Sequence, residues 1–212
     1  MIQNCKICGV KDPQTLSYII NHKYPPKMIG FICNWPKSKR FVKNEDLNQL
    51  LNIDKKQSKF VAVLVKPDEI ILDQLKDLPF DYYQIYDSNP SYIKEIKEKY
   101  NIKIISVITV SKKNDVYSYK EYENISDIIL FDSKGYHESK SFNHDYLDNV
   151  ITKLPIMIAG DIKIEDLSSF KNKNFYIDIS GGIETEGIKD INKIDKFLNT
   201  VHNLNSQKKY YE

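Results

Sequence analysis

The sequence predicts an α/β protein, a single-domain (βα)8 or TIM barrel with parallel strands, and three observations carry that expectation. Eight short apolar runs recur along the 212 residues, each followed by a polar stretch with helical spacing. The runs are too short for helices and rich in Ile, Val, Phe and Tyr, which suits strands buried on both faces. Eight alternating units in so few residues favour a closed barrel over an open, doubly wound sheet. Finally, Gly9, Gly135, Gly160, Gly181 and Gly182, five of only seven glycines, fall just past the C-terminal end of a run. Barrel enzymes build their sites from those loops, and close backbone approach to a ligand needs glycine.

In order, the predicted strands are Cys5–Cys8, Met28–Cys33, Phe60–Val65, Tyr82–Tyr86, Ile102–Ile108, Ile128–Phe131, Ile156–Ala159 and Phe175–Ile179. Helical spacing is clearest in Ser91–Tyr100 and Ile188–Val201, where Ile191, Ile194, Phe197, Leu198 and Val201 mark one face. Helix starts are signalled at Asp12-Pro13, Pro67-Asp68 and Asn89-Pro90-Ser91, since Pro suits a first turn and Asp, Asn or Ser caps it. Residues 1–212 read as one domain, with 203–212 as a C-terminal tail and no linker or low-complexity segment.

Composition narrows the function classes. Formal net charge is +2, from 31 basic and 29 acidic side chains without a basic run, which argues against a nucleic-acid partner. No apolar stretch approaches the ~20 residues that cross a bilayer. The N-terminal Met-Ile-Gln-Asn-Cys-Lys-Ile-Cys-Gly lacks the pattern of a signal peptide. Three cysteines, an odd number, argue against a disulfide framework and for a reducing, cytoplasmic setting. Monomer is the expectation, because packing on the barrel accounts for most apolar helix faces; a homodimer is the alternative. Arg40 is the single arginine among the 31 basic residues, so a surface-charge reading is weaker for it than for any lysine.

The last two strand ends point to a ligand. Many barrels hold a phosphate between the loops after strands 7 and 8, on backbone N–H groups. Gly160 and Asp161 follow strand 7, and Ser180-Gly181-Gly182 follows strand 8 with donors that no side chain obstructs. A small phosphorylated substrate is the expected partner. Strand 1 carries Cys5 and Cys8 in a Cys-x-x-Cys spacing. Residues three apart on a strand face opposite ways, so the two cannot share a metal or form a dithiol there. No second ligand pair exists, and no metal is expected. Cys8, at the strand's C-terminal end, is the candidate reactive thiol.

These segments together resemble one family. Lys6-Ile7-Cys8-Gly9-Val10-Lys11-Asp12, Ile29-Gly30-Phe31-Ile32 and Lys37-Ser38-Lys39-Arg40-Phe41-Val42 resemble the N-terminal third of the phosphoribosylanthranilate isomerases. Leu130-Phe131-Asp132-Ser133, Asp178-Ile179-Ser180-Gly181-Gly182-Ile183-Glu184 and Gly187-Ile188-Lys189-Asp190 resemble that family's later motifs. The resemblance implies an Amadori rearrangement of an aminoaldose phosphate in tryptophan biosynthesis, without metal or organic cofactor. It implies Asp132 as general acid, Cys8 as general base, Arg40 on the anthranilate carboxylate, and Gln84 and Asp178 as further substrate-binding residues. Asp178 has a second reading, as a cap on the strand-8 loop. Acid catalysis asks that burial raise Asp132, and base catalysis that the electropositive phosphate site favour a Cys8 thiolate.

The chain departs from the family pattern at four places: Tyr136-His137-Glu138-Ser139 replaces a glycine-rich loop, Asp161 follows Gly160, Tyr86 stands where His is usual, and Lys39 precedes Arg40. His137 reads as a solvated loop residue or a substrate contact. A barrel that binds a phosphosugar without turning it over is the alternative function.

Overall fold

The computed structural model describes residues 2, 4–133 and 141–206. The eight apolar runs are eight parallel strands: β1 (Asn4–Cys8), β2 (Met28–Ile32), β3 (Lys59–Val65), β4 (Tyr82–Tyr86), β5 (Lys103–Val110), β6 (Ile128–Ser133), β7 (Ile156–Ile158) and β8 (Tyr176–Ile179). Each pairs with the next, and β8 returns to β1 with Lys6 opposite Asp178, closing the barrel in sequence order.

Closure sorts side chains by strand alternation. Cys5 and Ile7 of β1 pack outward with Ile29, Phe31 and Cys33 under the helices. Cys8 packs inward with Val63, Tyr86, Val107 and Leu130. The two cysteines of the Cys-x-x-Cys spacing therefore lie in different layers, and Cys33 lies with Cys5 in the outer one.

The helix signals act where the sequence places them. Asp12 caps α1 (Pro13–Asn21) by accepting from Thr15 N at 2.8 Å, Asp68 caps α3 (Glu69–Leu75), and Asn89 caps α4 (Pro90–Tyr100). Helix α2 (Asn44–Leu51) follows β2, and α5 (Ile191–Ser206) closes the chain's described part. The connections after β5, β6 and β7 carry 3-10 segments instead: Lys113–Glu121, His144–Asn149 and Ile164–Phe170. Asn, Asp, Ser and Tyr dominate the first two and are poor α-helix formers. In the third, the buried Ile164, Leu167 and Phe170 recur every three residues, the period of a 3-10 turn.

Two boundaries differ from expectation. The helix predicted from Ile188 starts at Ile191, because Ile188–Lys189 (β10) pairs antiparallel with Glu184–Thr185 (β9). Glu186 and Gly187 have φ of 53° and 79°, the left-handed pair of a tight hairpin turn. Residues 203–206, expected in a tail, extend α5, since Val201 buries against the barrel and carries the helix through. Gly135 and the loop Tyr136–Ser139 with His137 lie outside the described residues. No described helix is long and apolar enough to cross a membrane.

Candidate active site

At the C-terminal ends of the strands the barrel opens into a cavity of about 350 Å³. Cys8, Arg40, Asp132, Gly160, Asp161, Asp178, Ser180 and Gly181 all line it. Gln84 and Gly182 do not. Gln84 is fully buried one layer down and donates from Nε2 to the Tyr86 hydroxyl at 3.2 Å. Gly182 faces the neighbouring loop, where a Cβ would sit 2.3 Å from the Ile162 carbonyl oxygen. Its missing side chain lets the loops after β7 and β8 touch.

Asp132 closes β6 at the cavity floor. Tyr86 donates to its Oδ2 at 2.8 Å, and the Ser133 N–H donates to its Oδ1 at 2.8 Å. Burial raises its carboxyl to about 6, against the pull of these two bonds. A carboxyl poised there can hold or give a proton near neutral pH.

Cys8 ends β1, and only β7 and β8 separate its strand from β6. Burial raises the thiol above its ordinary 9.0, while the Lys6 and Lys189 ammoniums pull the other way. This corrects the expectation that the phosphate site would make Cys8 a ready thiolate. Desolvation outweighs every nearby cation, and the strongest cation is a lysine of β1 itself.

That lysine is fully buried, and its Nζ donates to Asp178 Oδ2 at 2.7 Å. Asp178 Oδ1 is buried without a hydrogen-bond partner among the described residues. The carboxylate thus pairs with Lys6 across the β1–β8 seam rather than capping the strand-8 loop. Lys189 serves that loop, donating to the Ser180 carbonyl at 3.1 Å, while the Ser180 hydroxyl donates to the Cys8 carbonyl at 3.0 Å.

Arg40 makes the bidentate contact that a guanidinium fork suits, with Nε and Nη2 donating to the two Glu184 carboxylate oxygens at 2.6 and 2.7 Å. Lys189 also donates to Glu184 Oε1, at 2.5 Å. The arginine stem lies over Gly9, whose φ is +75° and whose Cβ would meet Arg40 Cδ at 2.4 Å. Gly9 was expected to admit a ligand; it admits a side chain. Asp161, in the left-handed region at φ 51°, faces Lys163 at 3.5 Å and shares part of its charge with it.

Sequence reasoning missed Lys6, Glu184 and Lys189 as site residues and noted Tyr86 only as a departure. Lys6 alone left a local signal, since it shares the inward face of β1 with Cys8.

Comparison with known proteins gives one answer. Residues 5–200 match the family described as N-(5'-phosphoribosyl)anthranilate (PRA) isomerase. Among curated relatives, the N-(5'-phosphoribosyl)anthranilate isomerase of Clostridium acetobutylicum is 31% identical, over 91% of this chain and 95% of its own. That of Rhizobium johnstonii is 29% identical over 97% of each chain. Among solved structures, monomers of the dimeric phosphoribosylanthranilate isomerase from Thermotoga maritima superpose with a TM-score of 0.79 at 23% identity, covering 96% of this chain and 100% of theirs.

Proposed function

This chain belongs to the N-(5'-phosphoribosyl)anthranilate isomerase family and is an isomerase of that kind, and from this premise we propose that Asp132 and Cys8 are its acid and base. The carrying observation is a carboxyl raised to about 6 that lines the same cavity as a buried thiol.

The substrate is a furanose with an aryl amine on C1. Protonated Asp132 gives its proton to the ring oxygen as the C1–O bond breaks, and the nitrogen lone pair forms a C1=N iminium. The Cys8 thiolate then takes the C2 proton, and the C–H electron pair forms C1=C2 while the iminium electrons return to nitrogen. C1 of that enaminol then gains a proton as the C2 hydroxyl loses its own to solvent, which gives the aminoketose. Every step is a proton transfer or a bond shift within the substrate, which general acid–base groups can supply.

Arg40 receives the anthranilate carboxylate; Glu184 engages Nε and Nη2 and orients the guanidinium, which leaves its Nη1–Nη2 edge to meet the substrate. Asp178 offers its unpaired Oδ1 to the substrate amine. Gly160, Asp161, Ser180 and Gly181 border the phosphate, with Gly182 fixing the loops, and Gln84 acts through Tyr86. In this reading the enzyme works in the cytoplasm as a monomer of 24.9 kDa, and light scattering that returned twice that mass would overturn the monomer.

The test follows the loss of substrate fluorescence. Cys8→Ser and Asp132→Asn should each lower turnover about 10²–10⁴-fold, the contribution of a positioned acid or base, with melting temperatures close to wild type. Full rate in Cys8→Ser would remove the base assignment. Phosphosugar binding without turnover in the wild type would favour the non-catalytic barrel.

A further inference from the structure

Lys6 is the largest charged side chain with no exposure to solvent among the described residues, and the acid–base reading above leaves it without a task. Burying an ammonium costs several kcal/mol unless it is paired and hydrogen-bonded. One donor is spent on Asp178 at 2.7 Å. The ammonium also interacts with the Cys8 side chain. Gly30 borders both side chains: a Cβ there would sit 3.0 Å from Cys8 Sγ, 3.0 Å from Lys6 Cε and 3.2 Å from Lys6 Nζ. The glycine of β2 thus clears room that an ammonium and a sulfur border together.

We propose that Lys6 is a positioning residue of the reaction, an ammonium shared between Asp178 and Cys8 that stabilises the Cys8 thiolate. The inference rests on Cys8 being the base. Lys6 gives up no proton; Cys8 loses its own to solvent before substrate binds and regains one from C2. Asp178 competes for the same ammonium. The pair is therefore a balance, in which any demand on Asp178 by the substrate amine frees Lys6 for sulfur. Burial draws the Lys6 ammonium down, but Asp178 and Cys8 outweigh it, so it stays charged.

The other charged or titratable groups that face Cys8 are Lys189 on β10, Arg40 on the loop after β2, Tyr86 on β4 and Cys33 just past β2. None of these lies on β1 or bonds Asp178. Lys189 acts on both Cys8 and Asp178 through its charge, but among the described residues Lys6 is the cation hydrogen-bonded to Asp178, so its removal and that of Asp178 should move Cys8 in opposite directions.

The experiment measures the iodoacetamide alkylation rate of Cys8 against pH, read at the Cys8 peptide by mass spectrometry so that Cys5 and Cys33 do not contribute. An opposite charge at this range shifts a titration by about 1–3 units. Lys6→Met should raise the alkylation midpoint by at least about one unit, a tenfold or greater loss of rate below the midpoint. Asp178→Asn should lower it by a similar amount. Lys6→Met leaves a buried carboxylate alone and is at risk of unfolding, so the decisive pair is Asp178→Asn against the double variant Lys6→Met/Asp178→Asn. The double variant replaces the ion pair with neutral side chains of similar size, a change that folds tolerate. Its midpoint should lie at least about one unit above that of Asp178→Asn. Equal midpoints would overturn the proposal, and a shift in melting temperature alone would mark Lys6 as merely structural. Alkylation needs no turnover, so a Cys8→Ser enzyme at full rate would sink the base assignment without touching this result.

Discussion

Replacing Tyr86 with Phe tests how this cavity sets its acid. The Tyr86 hydroxyl donates to Asp132 Oδ2 at 2.8 Å, a bond that favours the ionised carboxylate. Hydrogen bonds to charged groups contribute about 1.5–3 kcal/mol, and about 1.4 kcal/mol corresponds to one pH unit. Losing the bond should therefore raise Asp132 from about 6 to roughly 7–8. The sign of the kinetic effect needs both residues. The productive free enzyme has Asp132 protonated and Cys8 ionised, although Asp132 titrates near 6 and Cys8 above its ordinary 9.0. Below the Asp132 value, Asp132 is fully protonated and the thiolate fraction grows tenfold per pH unit. Between the two values, the gain in thiolate cancels the loss of acid, and the profile is level. Only above the Cys8 value does the rate fall.

The rising limb of kcat/KM thus reports Asp132 in the free enzyme, with a wild-type break near 6. In Tyr86→Phe the break should move up by about one to two units. The Gln84 amide loses its 3.2 Å acceptor in the same variant, at a cost of about 1 kcal/mol in stability. Initial rates of fluorescence loss from pH 4.5 to 9.5, at substrate well below KM, supply the assay. A break that stays put or moves down would refute the hydrogen-bond argument. A wild-type profile that already falls between 6 and 8 would show that Cys8 ionises below Asp132, and the claim that burial raises the thiol would fail.

Other expectations concern binding. Arg40→Lys keeps the charge but loses the two-pronged contact, so KM should rise at least about tenfold while kcat changes less; a KM unchanged by the substitution would place the carboxylate elsewhere. Gly182→Ala puts a methyl 2.3 Å from the Ile162 carbonyl oxygen and must part the two loops. Competitive inhibition by inorganic phosphate should weaken several-fold in that variant, and phosphate binding as tight as wild type would show that the loops do not form the phosphate site.

The barrel was legible because its signals are local. Each apolar run is a strand, and Asp12, Asp68 and Asn89 cap the helices that their positions announce. The 3-10 connections after β5, β6 and β7 were less legible, because spacings such as Val116 and Tyr119 suit a 3-10 turn and an α-helix equally well. The hairpin before α5 hides for a similar reason: Ile188 and Ile191 keep helical spacing while the backbone turns at Glu186 and Gly187.

The site divides along the same line. Cys8, Asp132 and Arg40 were visible through motifs that each span only a few residues. The partners that set their chemistry lie far off in sequence, with Asp178 172 positions from Lys6, and Glu184 144 positions from Arg40. Such contacts depend on which strands adjoin at closure, and local pattern does not contain that. What the sequence did hold was an anomaly of residue choice. Most of the thirty lysines are ordinary surface cations, yet the lone arginine lies where two oxygens are met at once, and Lys6 stands fully buried inside β1. A lysine at position 40 would meet one oxygen of Glu184, and a neutral residue at position 6 would leave Asp178 alone in the barrel. Both residues are therefore tied to a buried carboxylate at the mouth of this cavity, as is the buried Lys189, which is why reading exceptions can find sites that motifs do not.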